Sequence, residues 1–189
     1  MQNIRSFVAI PLPKPVHKNV ATLIARLRES GDGVKWVPTD NLHLTLKFLG
    51  DVDNTEVPGV CNVLRQVCDS YDPFELTFIG TGGFPDITRP RVVYAGVDDP
   101  SGSLRGIVTT LETELAKLGF KPEPRDYVPH LTLGRARGSS RRVGEQLLER
   151  LERDREKIFG EMVVENIQLM ASFLDKSGPT YQVMDTIEL

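Results

Sequence analysis

Apolar residues recur along this chain with two spacings. Ser6 to Ile10 is a short β-branched run closed by Pro11, which predicts a buried strand. From about Pro15 to Arg28 the spacing changes to helical, with Val16, Val20, Leu23, Ile24 and Leu27 on one face and Gly31-Asp32-Gly33 as the stop. Short strands are expected over 34–37 and 42–48. A helix follows over about 55–70, with the stripe Val60, Val63, Leu64 and Val67. Residues 74–79 alternate as a strand, 81–85 reads as a loop on its two glycines, and 92–97 is another strand. Ser101 or Ser103 can cap a helix carrying Leu104, Val108, Leu111, Leu115 and Leu118, which Gly119 ends. A proline-rich extended segment over 121–129 precedes a further strand. An Arg- and Glu-rich helix over about 141–157 and strands near 163–173 and 181–187 complete the chain.

The tetrapeptide HLTL stands in two of these strands, at His43–Leu46 and at His130–Leu133. The 87-residue offset between the histidines also carries Arg5 onto Val92, Val60 onto Leu147 and Leu64 onto Leu151. It carries Phe74 onto Glu161, which is read as the start of a later strand. One offset shared by several elements predicts an internal duplication within a single domain of residues 1–189, with approximate halves 1–86 and 87–189. The fold class expected is α+β: two pseudo-symmetric lobes, each an antiparallel sheet with outer helices, and a cleft between them.

Side chains alternate across a strand, so Leu44 and Leu46 point into a core while His43, Thr45 and Lys47 point out. In the second copy Leu131 and Leu133 are inward, and His130 and Thr132 are outward. Each copy therefore presents an imidazole beside a hydroxyl. Two imidazoles can act as acid and base in an in-line displacement at phosphorus, and the hydroxyls can donate to phosphoryl oxygens. A single histidine beside a strand leucine is usually structural; two identical frames in matched positions favour function. His17, on the first helix without a partner motif, is read as a surface residue.

The chain has 189 residues, 40% apolar and 26% charged, with a formal net charge of −3. That balance speaks against coating long nucleic acid by bulk charge and leaves room for a local phosphate site. Cys61 and Cys68 are read as small buried hydrophobes in a reducing cytosol. No run suits a signal peptide or membrane span, so the expectation is a cytoplasmic, monomeric protein with no membrane partner. No phosphate-cradling glycine motif is present. Three histidines, no Cys-His cluster and a threonine beside each motif histidine predict no metal and no cofactor.

The paired HxT frames resemble the two-histidine (2H) phosphoesterase superfamily. Within it the likeness is to the bacterial and archaeal RNA 2′,3′-cyclic phosphodiesterase family, also called 2′-5′ RNA ligase. It covers almost the whole chain, including residues 5–10, 41–50, 83–85, 90–92, 118–120, 129–135, 167–170 and 178–181. The resemblance implies metal-independent hydrolysis of RNA 2′,3′-cyclic phosphate ends to 2′-phosphomonoesters, with 2′-5′ ligation as the reverse transesterification. It implies His43 as proton donor, His130 as proton acceptor, and Thr45, Thr132 and Arg135 as phosphate-binding residues. Strict alternation would turn Arg135 towards the core, an outcome that a bulge at Gly134 would reverse. Lys47 is read as a rim lysine on the catalytic face, and Arg137, Arg141 and Arg142 as a solvated basic edge. Tyr127 and Trp36 are read as packing residues, with base stacking as the alternative. Asp126 departs from the family pattern just before the second motif. The alternatives to an RNA end are a small cyclic nucleotide as substrate, or a non-catalytic RNA- or nucleotide-binding module.

Overall fold

A computed structural model describes residues 3–28, 32–138, 142–176 and 178–189. In chain order the elements are β1 (Asn3–Pro11), α1 (Lys14–Leu27), β2 (Val34–Trp36), a 3₁₀ turn (Thr39–Asn41), β3 (His43–Asp53), α2 (Val57–Cys68), β4 (Phe74–Phe84), β5 (Val92–Asp98), α3 (Ser103–Lys117), β6 (His130–Ala136), α4 (Glu145–Arg153), β7 (Ile158–Val164), β8 (Asn166–Asp175) and β9 (Gly178–Glu188). The strands form two antiparallel sheets, β3-β1-β8-β9 and β2-β6-β5-β4-β7. Helices α2 and α3 pack on the first sheet, and α1 and α4 on the second, so the molecule is α+β and two-lobed.

The sheets do not follow the two halves of the chain. β2 and β4 leave the first half to join β5 and β6, and β8 and β9 return from the second half to flank β1. The orders β3-β1-β8-β9 and β6-β5-β4-β7 correspond, so β8, beside β1, takes the place that β4 takes beside β5. The counterpart of Phe74 is therefore at the start of β8. Glu161 lies within β7, paired with Thr77 of β4 itself.

The helical stripes are buried where the periodicity places them, except that Val63 is half-buried and Leu118 lies past the end of α3 and is exposed. Val16, Val20, Leu23, Ile24 and Leu27 of α1 are buried, as are the matched pairs Val60 and Leu147, and Leu64 and Leu151. Gly119, at φ +93°, follows the end of α3, a conformation that a side chain disfavours. The Ser101 hydroxyl accepts the Ser103 N–H at 3.1 Å, at the start of that helix.

Three boundaries differ from the sequence reading. Residues 81–84 continue β4 rather than forming a loop, pairing Thr81 with Ala95 through to Phe84 with Val92. Their glycines serve close packing: a Cβ on Gly82 would stand 2.5 Å from the Tyr94 ring. The last helix spans only Glu145–Arg153; Asp154 at its end bonds Arg26 of α1, and the chain turns so that Lys157 accepts the Gly80 N–H. The N-terminal part of that predicted helix reaches Arg141, which lies outside the described residues. The run 163–173 is two strands, β7 and β8, because the chain passes at Glu165 from the second sheet to the first.

Candidate active site

β3 and β6 belong to different sheets yet approach one another, which brings together the strands that carry the two HLTL frames. Along β3, Leu44 and Leu46 are buried, while His43 and Thr45 are half-buried on the other face. β6 repeats this with Leu131 and Leu133 buried, and His130 and Thr132 half-buried. On each strand the imidazole and hydroxyl are about 7 Å apart along one face.

Both rings are held in the same way. His43 Nδ1 lies 2.7 Å from the Asn41 carbonyl, and His130 Nδ1 lies 2.6 Å from the Val128 carbonyl. A carbonyl only accepts, so in each ring Nδ1 carries the proton and donates it to the residue two positions earlier. Nε2, on the far edge of each ring, is thereby left for chemistry. Asn41 is itself fixed by donating its side-chain amide to the Pro179 carbonyl at 2.7 Å. His17, half-buried on α1 rather than fully on the surface, donates Nε2–H to the Thr39 carbonyl at 2.7 Å and so braces the turn before the first motif.

Aromatic side chains flank each imidazole. His43 packs against Phe7 (ring centroids 4.7 Å) and meets Tyr181 edge-on at 5.1 Å. His130 meets Phe84 at 4.9 Å and Tyr94 at 5.6 Å, and those two rings stack at 4.4 Å. Phe7 and Tyr94 are themselves 87 residues apart, the offset of the histidines. Burial lowers both imidazole pKa values from the ordinary 6.5, against the opposing pull of the Asn41 and Val128 carbonyls. The Arg135 charge lowers His130 further, and it also acts on Tyr181. The Arg135 charge is therefore felt at both histidine-flanking sides of the site, at His130 and at Tyr181.

A bulge sets the position of Arg135. In β6, Val93 pairs with Gly134 and Tyr94 with Thr132, so Leu133 is the extra residue. Leu133 and Gly134 are both buried, the alternation changes phase, and Arg135 is exposed on the face of His130. β3 carries the same bulge: Val8 pairs with Lys47 and Ala9 with Thr45, leaving Leu46 as the extra residue. Here the bulge overturns the rim reading of Lys47. The side chain is 2% exposed and pairs with Glu112 of α3 at 2.6 Å. Phe48 takes the outward position instead and is 65% exposed, 6.0 Å from the Phe7 ring. Alternation alone hid Phe48; the signal was its alignment with Arg135 at the shared offset.

Tyr127 and Trp36 are packing residues. Tyr127 donates its hydroxyl to the Thr45 carbonyl at 3.1 Å, and burial pushes its pKa well up. Trp36 donates Nε1–H to Asp32 at 2.7 Å. Arg137 and Arg142 are not buried, and Asp126 is exposed. Cys61 and Cys68 are buried free thiols. Among the described residues, no group of three or more His, Cys, Asp and Glu side chains could hold a metal ion. No helix there is long and apolar enough to cross a membrane.

The family described as LigT like Phosphoesterase matches this chain twice, over residues 10–94 and 96–181. An RNA 2′,3′-cyclic phosphodiesterase of Methanothermobacter thermautotrophicus is 37% identical over 186 residues, 98% of this chain and 99% of that protein. One from Aquifex aeolicus is 32% identical over 190 residues, 100% of this chain and 99% of its own length. Among solved structures, TT0787 of Thermus thermophilus superposes with a TM-score of 0.81 at 30% identity, covering 98% of each chain. Escherichia coli LigT in complex with 3′-AMP also gives 0.81, at 25% identity over 100% of this chain and 99% of that one. The twin HLTL frames, the two-sheet architecture and these full-length likenesses agree: this chain belongs to the LigT-like phosphoesterase family of 2H enzymes.

Proposed function

We propose that this protein hydrolyses the 2′,3′-cyclic phosphodiester at the end of an RNA to a 2′-phosphomonoester, without a metal, by paired-histidine acid–base catalysis. One observation carries the reading: on two strands that approach one another, both imidazoles donate Nδ1–H to the carbonyl two residues back and keep Nε2 for chemistry, each with a threonine two residues on. Relatives along the full length named as RNA 2′,3′-cyclic phosphodiesterases support the substrate class.

In this mechanism a water oxygen attacks phosphorus and the P–O3′ bond breaks. His130 Nε2 takes the proton from the water, and His43 Nε2–H gives one to the leaving O3′. Thr45, Thr132 and Arg135 bind the non-bridging oxygens as charge moves onto them. The charge of Arg135 favours this division of roles. Arg135 beside His130 favours the neutral, proton-accepting ring there. His43, between Phe7 and Tyr181, is charged by the arriving phosphodiester anion. Phe48 offers an open aromatic face on the same side of β3 for the terminal nucleobase.

Joining to a 2′-5′ linkage is the same displacement with an RNA 5′-hydroxyl in the place of water, O3′ again leaving, and so is the reverse of transesterification at a 2′-5′ bond; abundant water favours hydrolysis. Both motifs come from one chain, so a monomer has the complete site. Buried free thiols suit the reducing cytoplasm.

The test is turnover of a short RNA ending in a 2′,3′-cyclic phosphate, with and without EDTA. A 2′-phosphate formed equally in both conditions is expected. A 3′-phosphate would reverse the leaving group and the histidine roles. Turnover of small cyclic nucleotides alone would move the substrate class, and no turnover of either would leave a binding module.

A further inference from the structure

The segment between α3 and β6 has no helix or strand, and it crosses from one lobe to the other. Three side chains tie it down. Lys47 of β3 donates Nζ to the Lys121 carbonyl at 3.2 Å while paired with Glu112 of α3. The same Glu112 oxygen accepts the Glu123 N–H at 3.1 Å. Tyr127 donates its hydroxyl to the carbonyl of Thr45, between the two ends of the first motif. The segment then reaches Val128, whose carbonyl holds the His130 ring, and Pro129, whose carbonyl accepts the Val97 N–H at 3.3 Å.

The fold itself does not call for a lysine at this place. Under the 87-residue offset the counterpart of Lys47 is Gly134, which sits in the equivalent bulge with no side chain. A buried ammonium is costly unless paired and hydrogen-bonded, and here both partners lie on the crossing segment or the helix that launches it.

We propose that Lys47, Glu112 and Tyr127 are positioning residues that clasp the crossing segment to β3 and so fix the separation of His43–Thr45 from His130–Thr132. The inference rests on the cyclic phosphodiesterase reading for its catalytic consequence. Acid and base must reach one phosphorus from opposite lobes, and a displacement of about 1 Å costs up to ~10²-fold in rate.

Two variants test it: Tyr127→Phe, which removes one hydroxyl, and Lys47→Met with Glu112→Leu, which removes both buried charges together. Each is measured with wild type for folding by circular dichroism, for kcat and KM on the RNA cyclic phosphate, and for the response of both histidine rings to inorganic phosphate by NMR. Folded variants are expected to lose about tenfold or more in kcat with a smaller change in KM, since alignment rather than binding is lost. In wild type the two rings are expected to respond to phosphate as one event, and in the variants at separate concentrations. A kcat within about twofold of wild type in both folded variants overturns the proposal, as do rings that still respond together. A wild-type protein whose rings respond separately also overturns it. Activity lost only in step with folded signal in both variants makes the clasp a folding element and overturns the positioning role. A wild type inert on RNA, with the expected phosphate behaviour, refutes the substrate reading and leaves the clasp standing.

Discussion

Phe48 and Arg135 stand at the same place in their strands: each is the second residue past the extra residue of a bulge that closes an HLTL frame, and each is turned outward. One scaffold position thus carries a flat apolar ring in one lobe and a guanidinium in the other. The two frames are symmetric in their histidines and threonines and asymmetric in the side chain that follows each bulge. A substrate with a phosphate at one end and a base at the other suits that difference.

Replacing Arg135 by alanine should lower kcat by about 10²-fold or more, the scale for losing a donor to developing negative charge. Lysine, a point charge without the planar fork, should restore only part of it. Phe48→Ala should act differently. It should weaken binding of base-bearing substrates by about 1–3 kcal/mol and leave ribose 2′,3′-cyclic phosphate, which has no base, nearly unaffected. Steady-state kinetics on the two substrates separates the roles, and equal losses on both would contradict the stacking role.

The pH dependence follows from burial. Burial lowers His43 below 6.5, as it does His130, where the Arg135 charge adds to it. The kcat/KM profile reports the free enzyme and should be a bell centred midway between the pair's two apparent values. Both values lie below 6.5, so the centre should too, whichever ring titrates first. A bound phosphodiester anion favours imidazolium, which moves the kcat profile to higher pH. Rates measured from about pH 4.5 to about pH 8.5 check this, and a flat profile would contradict two-histidine catalysis.

Gly134 is held by space rather than by backbone conformation. A Cβ there would stand 2.5 Å from Val34 Cγ1 and 3.2 Å from both the Lys35 carbonyl and the Trp36 ring. Gly134→Ala should destabilise the fold by about 1–3 kcal/mol, the usual cost of overpacking. It should also reduce turnover through the adjacent Arg135. Denaturant unfolding together with kcat at a temperature where the variant is folded measures the two effects separately.

Much of this molecule is written in its local pattern. The helical stripes and the alternation of Leu44, Leu46, Leu131 and Leu133 announce the core, and the shared offset of His43 and His130 points to the candidate site. What the pattern omits is set by pairing at a distance. Nothing at Leu46 or Leu133 marks an extra residue, because bulges are defined against a partner strand; Lys47 is therefore misread until the register with Val8 is known. Gly82 and Gly83 look like loop punctuation and instead let Tyr94 and Pro90 close over β4. The exchange of β4 against β8 between lobes leaves no local trace, since each strand has the same alternation in either sheet.

The division of labour between the histidines is the centre of the account, and the leaving group tests it. An RNA terminus whose cyclic phosphate carries sulfur in place of the 3′-bridging oxygen expels a thiolate, which needs no proton. His43→Ala should be slow on the oxygen substrate by at least ~10²-fold and recover most of that rate on the sulfur substrate, while His130→Ala stays slow on both. Rescue of His130→Ala instead, or of neither variant, would contradict the assignment of His43 as the acid and His130 as the base.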